Sequence, residues 1–185
     1  MMAFVEAILE ESEISKNFLE QYEILIFPLL NPDGVENGNW RHNANGMDLN
    51  RDWQNFEQPE TRAVRDWVSG WRKKNPEKEF HFGIDFHTSY SGPYLLTLGT
   101  LPHRVKPIIT HEWVQRIEAL TKDSLDIRPR PQDLPYCYNW FINDLGMEGV
   151  TYEEGDEIDR GQVRKRAKDY ARVLMEILLE KSAVR

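Results

Sequence analysis

The chain has 185 residues, with 31 acidic against 23 basic side chains and a formal net charge of −8. That length suits one domain with a sizeable core, and the negative balance argues against nucleic acid or an anionic membrane surface as partner. One cysteine, Cys137, permits no internal disulfide, and no apolar run approaches the roughly 20 residues of a membrane span.

Met1 to Glu13 carries apolar residues at 1, 4, 5, 8 and 9, the spacing of an amphipathic helix, with no N-cap before it. Tyr22 to Leu30, YEILIFPLL, is a β-branched and aromatic run of buried-strand type. Pro32-Asp33-Gly34 then supplies turn chemistry. Pro59 to Lys74 is predicted helical, with proline at its first position and Arg72, Lys73 and Lys74 complementing the dipole at its end. Phe80 to His87 reads as a strand, with a loop from Ser89 to Pro93 after it. A second helix falls within Pro102 to Leu125 and is best defined over Ile109 to Leu120. Ile127 to Pro135, with its three prolines, is expected to be an extended loop. Tyr138 to Leu145 forms a short helix, Val150 to Glu153 a short strand, and Arg160 to Ser182 the closing helix. Strands alternating with helices imply an α/β fold, a mixed and mainly parallel sheet with helices on both faces.

Polar residues gather beyond these strands. Asn31-Pro32-Asp33-Gly34, Trp40-Arg41 and Asp48-Leu49-Asn50-Arg51 place two arginines and an amide in one loop after an apolar run. An arginine can fork onto a carboxylate through two charge-assisted hydrogen bonds, and Asn50 can donate another. His87 ends one strand, where an imidazole is well placed to bind a metal. Period-2 alternation puts Thr151 and Glu153 on one face of another strand and turns Glu154 away.

Taken in order with Phe86-His87-Thr88-Ser89-Tyr90 and Thr151-Tyr152-Glu153, these motifs resemble the zinc carboxypeptidases of the carboxypeptidase A type, from about residue 20 to 160. The resemblance implies an α/β/α sandwich of the phosphorylase/hydrolase type. It also implies hydrolysis of peptides with a free C-terminal carboxylate by zinc-activated water. Asn50 and Arg51 match the pair that binds that carboxylate, and Arg41 the arginine that polarises the scissile carbonyl. His87 matches the third zinc ligand, Glu153 the general base, and Asp48 the carboxylate that orients the first zinc-binding histidine. The family's mobile tyrosine has two candidates, Tyr136 and Tyr138.

The chain departs from the family at the metal. The family's first two ligands come from His-x-x-Glu, and the residues three places after the five histidines here are Asn45, Ile84, Tyr90, Lys106 and Val114. A catalytic zinc needs roughly three protein ligands and an open position. His81 lies about 20 Å from His87 along an extended strand. Asp85 shares a face with His87, but the two together are still one ligand short. We therefore read residues 1–185 as a single partial domain, the C-terminal portion of a carboxypeptidase with the first strands and the metal motif upstream. Its sheet is expected to be incompletely covered on one flank. The alternatives are a metal-free carboxylate- or peptide-binding remnant and a related amidase acting on a terminal residue. Cysteine usage and the lack of a signal peptide in the given sequence point to a cytoplasmic protein.

Overall fold

The computed structural model describes residues 1–105 and 108–183. Its elements in chain order are α1 (Met2–Ile8), α2 (Glu13–Gln21), α3 (Pro32–Glu36), α4 (Pro59–Lys74), β1 (Phe82–Ser89), β2 (Tyr94–Leu98), α5 (Thr110–Thr121), β3 (Asp126–Arg130), α6 (Cys137–Trp140), β4 (Glu148–Gly155) and α7 (Arg160–Ser182). A 3-10 turn spans Leu49–Arg51, and α6 runs on into a π-helical turn over Phe141–Leu145.

The sheet has the order β1-β4-β2-β3. β1 and β4 are parallel, β2 and β3 are parallel, and β2 meets β4 antiparallel. This is the mixed, mainly parallel α/β sheet expected from the sequence. Alternation along β4 divides its side chains between two faces. Val150 and Tyr152 enter a core cluster with Leu95, Trp113, Ala171 and Ile177, which joins α1, α5 and α7 to the sheet. On the other face Gly149 lies under Phe141: a Cβ there would come within 2.7 Å of that ring. Gly83 of β1 faces the same ring, at 2.5 Å. The two glycines let the α6 turn settle directly on the sheet, beside clusters built from Trp53, Val64, Val68 and Trp140 and from Leu98, Tyr138 and Ile142.

Helices α4 and α7 begin and end as the sequence predicts, because Pro59 and the Asp159 cap fix their starts. Four expectations are corrected. The helix expected over Met1 to Glu13 stops at Ile8, and a new one starts at Ser12, whose hydroxyl accepts the Ser15 N–H at 3.2 Å. Tyr22 to Leu30 is no strand: no ladder joins it to the sheet among the described residues, and Ile26, Phe27 and Leu29 are exposed. An apolar run becomes a strand only when a neighbour takes its backbone hydrogen bonds. Asp126–Arg130 is a strand despite Pro129, because β3 is an edge, where proline is tolerated. β2 was not anticipated at all. Of the loop expected after His87, Ser89 belongs to β1.

Candidate active site

β1 and β4 run parallel with His87 opposite Glu153 and Asp85 opposite Thr151. The carboxyl ends of both strands therefore present an acid, an imidazole, a hydroxyl and a second acid on one face. His87 Nε2 lies 2.8 Å from Asp85 Oδ2, and the Thr151 hydroxyl donates to the same carboxylate oxygen at 3.3 Å. Burial alone would lower the His87 imidazole. The Asp85 charge and hydrogen bond, with the charges of Glu153 and Asp48, outweigh it and raise the pKa to about 9. Burial lifts the Glu153 carboxyl above its ordinary range, with His87 and Arg41 drawing it down and Asp85 pushing it up.

The arginine loop is brought to this edge by its own hydrogen bonds. Buried Asp52 caps the start of α4, accepting the Glu57 and Gln58 N–H groups at 2.9 and 2.8 Å and the Thr61 hydroxyl at 2.5 Å. Buried Asn43 donates to Gln58 Oε1 at 2.9 Å and accepts from the Met47 N–H at 3.0 Å. Asp48 then gathers both arginines, with Arg41 Nε at 3.3 Å and Arg51 at 3.5 Å from the same oxygen. Asn50 Oδ1 accepts the Cys137 N–H at 2.9 Å, which ties the loop to α6.

The electrostatic couplings link the two halves: Asp48 acts on His87, and Arg41 acts on Glu153. Arg41, Asp48, His87 and Glu153 thus share one neighbourhood, with Asn50 and Arg51 beside it. The Arg51 guanidinium sits 4.5 Å from the centre of the Tyr136 ring. Tyr138 is different. It is fully buried among Leu98, Val105 and Ile142, so as a substrate-binding candidate it is corrected to a core residue. Tyr136, the N-cap residue of α6, is half-buried, whereas Cys137, Tyr138, Asn139 and Trp140 within the helix are all buried. Asp48, expected to orient a histidine, is held here by the two arginines. Thr151 was expected on the face of Glu153 and Asp85 on that of His87; the register of β1 against β4 joins the two pairs, and a single sequence carries no signal of register.

Glu154 faces the opposite side and is buried. It accepts from Arg166 at 2.6 Å, the Tyr152 hydroxyl at 2.9 Å and the Gly155 N–H at 2.9 Å.

A model of the zinc carboxypeptidase family matches residues 1–133. The chain belongs to the zinc carboxypeptidase family. Cytosolic carboxypeptidase 1 of Xenopus laevis is 46% identical over 55 residues, 30% of this chain and 4% of that protein. Cytosolic carboxypeptidase 6 of Caenorhabditis elegans is 28% identical over 104 residues, 55% of this chain and 22% of its own length. Among solved structures, a metallo-carboxypeptidase from Burkholderia cenocepacia matches 97% of this chain and 52% of its own, with 17% identity and a TM-score of 0.71. A metallo-carboxypeptidase from Pseudomonas aeruginosa, solved in complex with (2-guanidinoethylmercapto)succinic acid, matches 95% and 52%, with 18% identity and a TM-score of 0.69. The zinc carboxypeptidase chain described here thus spans about half of those solved chains and a small part of the curated relatives.

Zinc carboxypeptidases take a zinc ion, and the donors of this chain can be tested against it. His87 is a suitable imidazole ligand with a carboxylate behind it. Among the described residues, however, no group of three or more His, Cys, Asp or Glu side chains stands close enough to hold a metal. The donor set does not fit a catalytic zinc. No described helix is long and apolar enough to cross a membrane.

Proposed function

We propose that this chain forms the carboxylate-binding and proton-accepting part of a metallocarboxypeptidase site that removes C-terminal residues from peptides. The observation that carries this reading is the convergence of Arg41, Asn50 and Arg51 on the edge where His87 and Glu153 stand opposite one another. Arg51, steadied by Asp48 and the Tyr136 ring, binds the terminal carboxylate. Asn50 keeps its carbonyl on the Cys137 N–H, so its amide N–H₂ is the end directed at a ligand. Arg41 polarises the scissile carbonyl. Glu153, raised by burial, is poised to take a proton from an attacking water. Tyr136 lies against Arg51 and would pack on the bound terminus. The partner is a peptide or other amino-acid-terminated substrate with a free carboxylate. The names of the curated relatives support a cytosolic setting.

A second reading, a binder of carboxylate-ended peptides that holds no metal, is favoured by the donor set, which among the described residues offers no group of three side chains close enough to hold a metal. Both readings use the same clamp, and one experiment tests it. Affinities for a short peptide as free acid and as amide are measured by calorimetry in the wild type and in Arg51→Ala. A charge-assisted hydrogen bond contributes about 1.5–3 kcal/mol, so the variant should lose roughly 10- to 100-fold in affinity for the free acid and little for the amide. Survival of the free-acid preference would place the clamp elsewhere. Cleavage of the peptide by the wild type, abolished by a chelator, separates the first reading from the second.

A further inference from the structure

Two Asn-Gly dipeptides occur in the chain, Asn37-Gly38 and Asn45-Gly46, and all four residues are exposed. In such a pair the glycine nitrogen can attack the asparagine side-chain carbon, because glycine carries no side chain to obstruct it. The structure gives the two pairs different surroundings. Asn37 ends α3, a helix of five residues, and the Gly38 N–H reaches the Val35 carbonyl only at 3.3 Å. So short a helix end frays readily.

Asn45 and Gly46 instead form the tip of a small hairpin. The Asn43 N–H donates to the Met47 carbonyl and the Gly46 N–H to the Asn43 carbonyl, both at 2.9 Å. Buried Asn43 accepts the Asn45 and Met47 N–H groups on Oδ1 at 3.1 and 3.0 Å. Asn45 Nδ2 donates to Gln58 Oε1 at 3.0 Å, the oxygen that Asn43 Nδ2 also reaches. The legs of the hairpin meet where His42 bridges Asp48, which sets the Asp48 carboxylate 3.3 Å from Arg41. The attacking and the leaving nitrogen are thus both held for as long as the hairpin is closed.

We propose that Asn45 is a self-modification site gated by this hairpin: opening of the tip lets the Gly46 nitrogen close a succinimide on Asn45, and the product keeps the arginine loop open. The Gly46 nitrogen bonds to Asn45 Cγ and gives its proton to water, while the Cγ–Nδ2 bond breaks and ammonia leaves. Water then opens the ring, at Cγ to give aspartate or at the main-chain carbonyl to give isoaspartate, so that an amide and water become a carboxylate and ammonium. Isoaspartate inserts a methylene into the main chain between the two legs. The Asn43 to Met47 bonds then lose register, and Asp48 is drawn away from Arg41 and Arg51. Aspartate sets a carboxylate oxygen against Gln58 Oε1, two acceptors with no hydrogen between them. The reaction stands on the hairpin alone; only its effect on peptide affinity rests on the proposed clamp.

Timed incubation of the purified chain in warm, mildly alkaline buffer tests it, read by peptide mass spectrometry with fragmentation that separates aspartate from isoaspartate. Asn37 is the internal reference. The bonds that hold Gly46 N–H and Asn45 Nδ2 should slow Asn45 roughly tenfold relative to Asn37. Asn43→Ala, which removes the side-chain ties, should bring Asn45 close to the rate of Asn37 and leave Asn37 unchanged. Hydrogen exchange on the wild type gives an answer without a variant: the Gly46 N–H should exchange roughly tenfold slower than that of Gly38. In chain carrying isoaspartate at position 45, purified by ion exchange, the Met47 N–H should lose its protection, and affinity for a free-acid peptide should fall to that of Arg51→Ala. Asn45 keeping pace with Asn37 in the wild type overturns the proposal, as does an intact Asn45 in folded Asn43→Ala, equal exchange at Gly46 and Gly38, or an isoaspartate form whose Met47 N–H stays protected. The rates and the exchange are read without ligand, so they decide the proposal even if Arg51→Ala shows that the clamp lies elsewhere.

Discussion

The side-chain carbonyl of Asn50 accepts the backbone N–H of Cys137 at 2.9 Å, across 87 positions of sequence. That bond anchors the arginine loop to the start of α6 and leaves the amide nitrogen as the end not held by Cys137. Asn50→Asp keeps an acceptor for Cys137 but replaces the outward donor with a negative oxygen. We expect Asn50→Asp to fold with near wild-type stability and to lose affinity for free-acid peptides by more than Asn50→Ala does. Calorimetry on the two variants checks the order; a reversed order would mean that the amide nitrogen faces Cys137.

The His87 and Asp85 pair makes a prediction about pH. The folded imidazole is raised to about 9 from an ordinary 6.5. Below 6.5 both folded and unfolded chains bind the proton, and between the two values only the folded one holds it. The stability this contributes is therefore full below pH 6.5 and is lost as pH rises through about 9. Asp85→Asn removes the main partner that raises the group. Urea unfolding in the presence of a chelator should show wild type more stable than Asp85→Asn at the acid end of this window, with the gap shrinking toward its alkaline end. A gap that widens with pH contradicts the assignment.

Metal binding gives a further test. With no set of three donors among the described residues, the purified chain should carry far less than one equivalent of zinc after dialysis. Elemental analysis decides this directly, and stoichiometric zinc would mean a donor arrangement different from the one described.

What could be read in the sequence follows from what is local. Helix α4 was readable because Pro59, the Val64 and Val68 stripe and the basic last turn all lie within it. The candidate site residues stand out as motifs, since the turn, the arginine pair and the strand-end histidine each have a local signature. What depended on a neighbour was not readable. Tyr22 to Leu30 has strand composition but pairs with no strand among the described residues, while β2 becomes a strand because β3 and β4 flank it. Tyr136 and Tyr138 look alike in sequence, and only the packing of α6 on the sheet buries one and leaves the other beside Arg51.

That packing rests on Gly149. A methyl group there would stand 2.7 Å from Phe141, in a turn already seated on the sheet. Gly149→Ala should cost about 1–3 kcal/mol of stability, as overpacking of a filled core does. Because α6 carries Cys137, the anchor of Asn50, the same change should weaken free-acid binding. Gly149→Ala combined with Phe141→Leu should recover part of both losses. Urea unfolding and calorimetry on the single and double variants check it, and full independence of the two positions would refute the contact.

The adjacent acids Glu153 and Glu154 do opposite work, because neighbouring residues of a strand face opposite sides of the sheet. Glu153 looks toward His87 and the arginines, and Glu154 is locked to Arg166 on α7 with side-chain exposures of only 8% and 13%. Breaking a buried pair by removing one partner strands the other charge, at about 3–5 kcal/mol. Arg166→Met should therefore destabilise the chain by roughly that amount. Glu154→Met combined with Arg166→Met should be clearly more stable than Arg166→Met alone, since no charge is then left unpaired, although the Tyr152 hydroxyl and Gly155 N–H lose their acceptor. Glu153→Gln should leave stability within about 0.5 kcal/mol, as changes at partly open positions usually do. Its effect belongs in chemistry: in any form of the protein that hydrolyses peptides, it should remove most of the turnover and leave the affinity for substrate nearly intact. Unfolding curves for the variants, set beside peptide affinities, separate the two roles. If Glu153→Gln proves the more destabilising and Glu154→Gln the more harmful to turnover, the phase of β4 is wrong by one residue and the site must be rebuilt around Glu154.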